Sequence, residues 1–203
     1  MKSRTLARIA GGSYLIIFFA AIFANFLALE SLSLNPLDTI QHNPLLVRLG
    51  IMAFLITVVF DVVVAWALKL LYQEHPLTVL STYFRLMHAA IMGVAVFALP
   101  ITLGLNHADA ILDQVNQFNT IWLIGLFFFG IHLILLGKII GKPKLIALFL
   151  LIAGIMYIVD TSAHFLMSNY DDYSDIFLAF VAVPSIVGEM SFAIWLLVKG
   201  GKN

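Results

Sequence analysis

The chain contains no cysteine, and only 11% of its 203 residues are charged. The first absence excludes disulfides, thiolate catalysis and cysteine-held metal or iron–sulfur centres, while fixing nothing about redox compartment. The second is paired with exact balance: Lys plus Arg and Asp plus Glu number 11 each, for a formal net charge of zero. No basic footprint for nucleic acid exists in such a chain. No linker and no shift of composition divides it, so residues 1–203 read as a single domain.

What is present is apolar surface. Hydrophobic residues make up 62% of the chain and the mean hydropathy is +1.04, against roughly 45–50% apolar and about 25% charged residues in ordinary soluble domains. A soluble core of this size has no room for so much apolar surface. A spanning helix needs about 20 mostly apolar residues. Six such stretches are predicted near 8–30, 46–71, 77–104, 118–140, 144–168 and 175–198, giving an all-α membrane protein built as a six-transmembrane-helix bundle with the lipid bilayer as its partner. Lys2, Arg4 and Arg8 before the first stretch resemble a secretory signal. The apolar run from Ile9 to Leu29 is longer than the roughly 7–15 residues of a signal core, which predicts a retained span.

Lys and Arg set the orientation. Lys2, Arg4, Arg8, Lys69, Lys138, Lys142, Lys144, Lys199 and Lys202 fall on one side of a six-span arrangement and Arg48 on the other. Both termini are therefore expected in the cytoplasm. Asn43-Pro44, His75-Pro76 and Lys142-Pro143 supply helix-start signals, since a first turn tolerates proline's missing N–H. Asn35-Pro36-Leu37-Asp38 suggests a short helical turn in the first outer loop, and the polar stretch from Asn106 to Phe118 reads as a loop forming a small outer cap.

Ionisable side chains inside the bilayer are costly, roughly 2.5–3.5 kcal/mol each on the lenient insertion scale, so they face the bundle interior and pair. Counting about 1.5 Å of rise per residue, Asp61 and Glu189 fall near mid-membrane, with Arg85, His88 and His132 in the inner and middle layer. These five are the candidate ligand-binding residues: acids to hold a proton or cation, Arg85 to meet an anion or pair with an acid. Ser81, Arg85 and His88 at i, i+4 and i+7 share one helix face. A competing placement puts Arg85 at the cytoplasmic interface, because Leu86 to Leu105 is long enough to span alone. Asp160 and His164, one turn apart with Tyr157 below, form a second candidate pair in which the carboxylate orients the imidazole. Pro184 predicts a kink about one turn before Glu189. Tyr14, Tyr72, Trp66, Trp195 and Tyr170 read as interfacial aromatics.

Phe84-Arg85-Leu86, Gly130-Ile131-His132-Leu133 with Gly137, Gly154-x-x-Tyr157-x-x-Asp160, and Gly188-Glu189 followed by Trp195-Leu-Leu-Val-Lys199 together resemble a bacterial membrane family known as domain of unknown function 4386. The resemblance runs from Ala7-Arg8-Ile9-Ala10-Gly11 to the tail. It implies a polytopic protein of the bacterial inner membrane and supplies no activity.

Four functions compete on these residues. The leading expectation is a membrane protein that binds a small molecule or cation in a buried polar site and couples it to proton or solute movement. An intramembrane metal-dependent hydrolase acting on lipid needs zinc held by histidine and carboxylate, but no H-E-x-x-H pair is present and His132 and His164 are separated by roughly 20 Å of helical rise. Haem between His88 and His132 is a third reading. A structural or assembly protein, whose polar network only joins helices, is the fourth.

Overall fold

The computed structural model describes residues 2–201 and contains only helices and turns among them. Helix α1 (Ser3–Phe23) runs through a π-helical turn, Ala24–Leu29, into α2 (Glu30–Leu34). The short α3 (Pro36–His42) precedes α4 (Pro44–Leu71), α5 (Thr78–Val96) and its continuation α6 (Ala98–Thr102). Helices α7 (Ala108–Ile140), α8 (Lys144–Leu166) and α9 (Ser174–Val198) complete the chain, with a 3-10 turn, Tyr170–Tyr173, before α9. Six helical stretches are long and apolar enough to cross a membrane, and the molecule is an all-helical, multi-pass membrane bundle.

The helix ends differ from the expected ones in places, and the differences have physical causes. Pro44 does open its helix and Pro36 opens α3. The third span breaks at Phe97, because Pro100 has no N–H for the carbonyl of Val96. The loop expected from Asn106 to Phe118 is instead helix: α7 is 33 residues long, roughly 50 Å. Its polar residues hid a buried stripe, Ile111, Val115 and Phe118, spaced at i, i+4 and i+7. That stripe docks beneath α2 and α3. Phe118 also packs against Phe54, at 4.8 Å between ring centroids.

The long helices form a closed ring in chain order: α1 packs on α4, α4 on α5, α5 on α7, α7 on α8, α8 on α9, and α9 returns to α1. Lipid chains are as apolar as leucine, so such contacts rest on close packing rather than on the hydrophobic effect. Between α7 and α8 the backbones nearly touch. A Cβ at Gly130 would sit 2.6 Å from the Gly154 carbonyl oxygen, and one at Gly154 would sit 2.5 Å from that of Gly130.

The ring is sealed at the end where both termini lie. A Cβ at Gly11 would meet the Ala193 carbonyl oxygen at 2.8 Å, and the rings of Tyr14 and Phe192 pack edge to face at 5.8 Å. The Arg4 guanidinium donates to the carbonyls of Leu196, Leu197 and Gly200, satisfying the orphan carbonyls at the end of α9. Two apolar cores result. The one at the termini end draws on every long helix except α5, with Leu6, Ala10, Val64, Leu133, Leu150, Ala153, Phe192 and Leu196 among its members. The one at the opposite end is built from the chain between Ala24 and Phe118 and includes no buried residue of α8 or α9.

Candidate functional site

Arg85 stands at the centre of the bundle with 1% of its surface exposed. The interfacial placement of Arg85 is therefore corrected: the Ser81–Arg85–His88 face looks inward and all three are buried. A guanidinium at that depth needs its charge met and its N–H groups bonded. Its Nη2 donates to Asp61 Oδ1 at 2.5 Å. Its Nη1 donates to the Tyr14 hydroxyl at 2.8 Å and faces His132 Nε2 at 3.2 Å. The guanidinium carbon also lies 4.8 Å from the Tyr14 ring centroid and 5.3 Å from that of Phe129, within cation–π range.

His132 is held in one tautomer by what surrounds it. Its Nδ1 lies 3.0 Å from the Ser81 carbonyl oxygen and 2.9 Å from the Ser81 hydroxyl. A hydrogen on Nδ1 satisfies that side, and the Nε2 lone pair then accepts from Arg85. His88 uses Nδ1 to donate to the Gly125 carbonyl at 2.9 Å. Its Nε2 stops 3.7 Å from Asp61 Oδ2, outside hydrogen-bond reach. The Phe129 ring contacts both imidazoles, at 4.7 Å and 5.8 Å between centroids. The Nε2 that would ligate iron is taken up by Arg85 in His132, and Phe129 lies against both imidazoles, so this arrangement does not fit haem.

Beside this cluster lies a cavity of about 190 Å³. All six long helices line it: Tyr14, Ile17, Phe18 and Ala21 from α1, Thr57 and Asp61 from α4, Arg85, His88 and Met92 from α5, Trp122, Leu126 and Phe129 from α7, Tyr157 from α8, and Ser185, Ile186, Glu189 and Met190 from α9. Four of the five expected residues, Asp61, Arg85, His88 and Glu189, thus share one space. His132 does not reach it; it supports Arg85 from the termini side and borders a small second void of about 10 Å³ with Tyr72, Thr78 and Ser81. Glu189 differs from Asp61, Arg85 and His88 in having neither a hydrogen-bond nor an ion-pair partner within the described residues. Ser185, next to Pro184 and one turn before Glu189, also lines the cavity, its hydroxyl donating to the Val181 carbonyl at 2.8 Å.

The second expected pair does not form. Asp160 Oδ1 accepts from the Tyr170 hydroxyl at 2.7 Å, and His164 packs its ring edge-on to Tyr170 at 4.8 Å. The tyrosine of the 3-10 turn takes the carboxylate in place of the imidazole one turn along α8. Tyr170 thus makes a specific hydrogen bond. Tyr157 belongs to the central cavity and packs edge-on to Phe129. Tyr14, expected at an interface, is buried in the Arg85 cluster. The signal for it was present: Leu6, Ala7, Ala10, Gly11 and Tyr14 form one buried face of α1. Thr57, one turn from Asp61 on the same face, was likewise missed. Among the described residues, no three His, Asp or Glu side chains converge in a way that would hold a metal ion, which leaves the zinc hydrolase without a ligand set.

No solved structure matches this chain. An uncharacterized protein of Archaeoglobus fulgidus is 30% identical over 159 residues, covering 75% of this chain and 85% of the relative. The model of the family described as Domain of unknown function (DUF4386) matches residues 9–200. With nearly every residue of the six-helix ring inside that match, the chain belongs to the DUF4386 family.

Proposed function

We propose that the protein binds a small ligand in the central cavity through a cationic group, and that Glu189 is the carboxylate that receives it. One imbalance carries this reading. Arg85 is the one Lys or Arg among the described residues lining the cavity, and its two terminal nitrogens are committed to Asp61, Tyr14 and His132. Arg85 Nε is left without a hydrogen bond, but the charge on the cavity that meets no partner is negative: the Glu189 carboxyl, with Asp61 Oδ2 beside it. Two carboxyls against one guanidinium are balanced by a bound cation or by a proton on Glu189. The aromatic walls, Tyr14, Trp122, Phe129 and Tyr157, suit an organic ammonium, which is attracted to ring faces as well as to the carboxylate.

Exchange of a proton for the ligand's positive charge at Glu189 is the step through which binding couples to proton movement. The positive-inside distribution supports a cytoplasmic location for the sealed end and both termini, and the resemblance noted in the sequence supports a bacterial inner membrane. Titration of the protein in nanodiscs with methylammonium and tetramethylammonium, followed by calorimetry at two pH values, tests the reading. Saturable binding with proton release, lost in Glu189→Gln, is expected. Equal heats for wild type and Glu189→Gln would overturn it.

A further inference from the structure

The cavity has an asymmetric wall. The named contacts that join α1 to α9, namely Arg4 with the end of α9, Gly11 with Ala193, and Tyr14 with Phe192, all lie toward the termini. Past the end of α1, the π-helical turn buries Ala24 and Leu29 in the core of the opposite end. Helix α9 does not follow. Beyond Pro184 its residues Val183, Phe180, Leu178 and Ile176 are all more than half exposed. The cavity reaches this parting, since Phe18 and Ala21 of α1 and Ile186 and Met190 of α9 line it. Ile186 is half exposed on the perimeter.

We infer that the cavity opens sideways into the bilayer between α1 and α9, and that its ligand is a single-chain amphiphile with an ammonium head. This rests on the assignment of Glu189 as the receiving carboxylate and names the class of molecule that reaches it. The mouth lies near the middle of both helices and is framed by Phe18, Ala21, Ile186 and Met190, so a molecule arrives from the hydrocarbon rather than from water. An alkyl chain remains in the parting against the exposed side of α9 while the head meets Glu189 and the aromatic wall. A phospholipid head fits less well: its phosphate needs a free cation, and Arg85 is already neutralised by Asp61. Fatty carboxylates face the same obstacle.

The test uses full-length protein in nanodiscs with Trp66 and Trp195 replaced by phenylalanine, leaving Trp122 in the cavity wall as the reporter. Its quenching is titrated with a long-chain bromoalkyl trimethylammonium, with the bromoalkanoate of equal length, with a brominated phosphatidylethanolamine, and with bromopropyl trimethylammonium, which has the head and no tail. Saturable quenching by the long-chain ammonium is expected, about tenfold tighter than by either carboxylate or phospholipid. Glu189→Gln removes that preference. Ala21→Phe with Ile186→Phe, which narrows the mouth without touching the ion pair, weakens the long-chain probe about tenfold more than the tail-less one. If the tail-less ammonium binds and the long-chain one does not, lateral entry is wrong and the Glu189 site stands. If neither binds in a Glu189-dependent way, both are wrong. Quenching by the phospholipid equal to that of the ammonium would reassign the ligand. Unchanged melting of each variant separates these outcomes from misfolding.

Discussion

Arg85 and Asp61, 24 positions apart on adjacent antiparallel helices, meet through Nη2 and Oδ1 at 2.5 Å with almost no surface left to solvent. An isolated charge of either sign in that place is costly, and removing one partner strands the other. Asp61→Ala is expected to destabilise the protein by about 3–5 kcal/mol. Replacing both, with Asp61→Leu and Arg85→Met, costs less than the single change, because no unpaired charge remains. Thermal or denaturant unfolding of the single and double variants in detergent measures the difference.

Glu189 gives the opposite outcome. Having no partner to strand, Glu189→Gln leaves stability within about 0.5 kcal/mol, as for substitutions that break no named interaction. Ligand binding is lost all the same. Unfolding curves that shift by several kcal/mol, with no change in binding, would instead favour a purely structural network.

Gly130 and Gly154 hold α7 and α8 at backbone contact. Gly130→Ala puts a methyl into the Gly154 carbonyl and is expected to cost about 1–3 kcal/mol. Gly12, whose Cβ would meet nothing within 4 Å, serves as the control. Gly12→Ala leaves the melting temperature unchanged or slightly raised, since alanine is the better helix former.

At the opposite end, Tyr170→Phe removes the hydroxyl that donates to Asp160 and costs about 1 kcal/mol, more if the carboxylate is left dry. His164→Ala leaves that hydrogen bond intact. A larger loss from His164→Ala than from Tyr170→Phe would restore the one-turn pairing on α8.

Orientation is testable because the chain has no native cysteine to interfere. Single cysteines at Gln73 and Asn169, both exposed and at opposite ends of the bundle, are expected to react with an impermeant maleimide from opposite sides. In intact cells Asn169→Cys labels and Gln73→Cys does not. The reverse pattern would invert the topology.

The sequence by itself determined the membrane class, the six spans and the identity of most buried charges. Apolar run length and the cost of ionisable groups in hydrocarbon are properties of composition and spacing, and both act locally. The inward face of Ser81, Arg85 and His88 was legible for the same reason, since i, i+4 and i+7 fix a face before any neighbour is known. Tertiary structure alone decided who pairs with whom. Arg85 had two acids at similar depth, and the packing of α4 on α5 gave it Asp61, leaving Glu189 free. Asp160 had a histidine on its own face, and a tyrosine ten residues on displaced it. The polar stretch before Phe118 became helix because its three apolar residues found a surface on α2 and α3. The parting of α1 from α9, on which the proposed route to the cavity depends, follows from where each helix finds close partners, and no single helix carries that information.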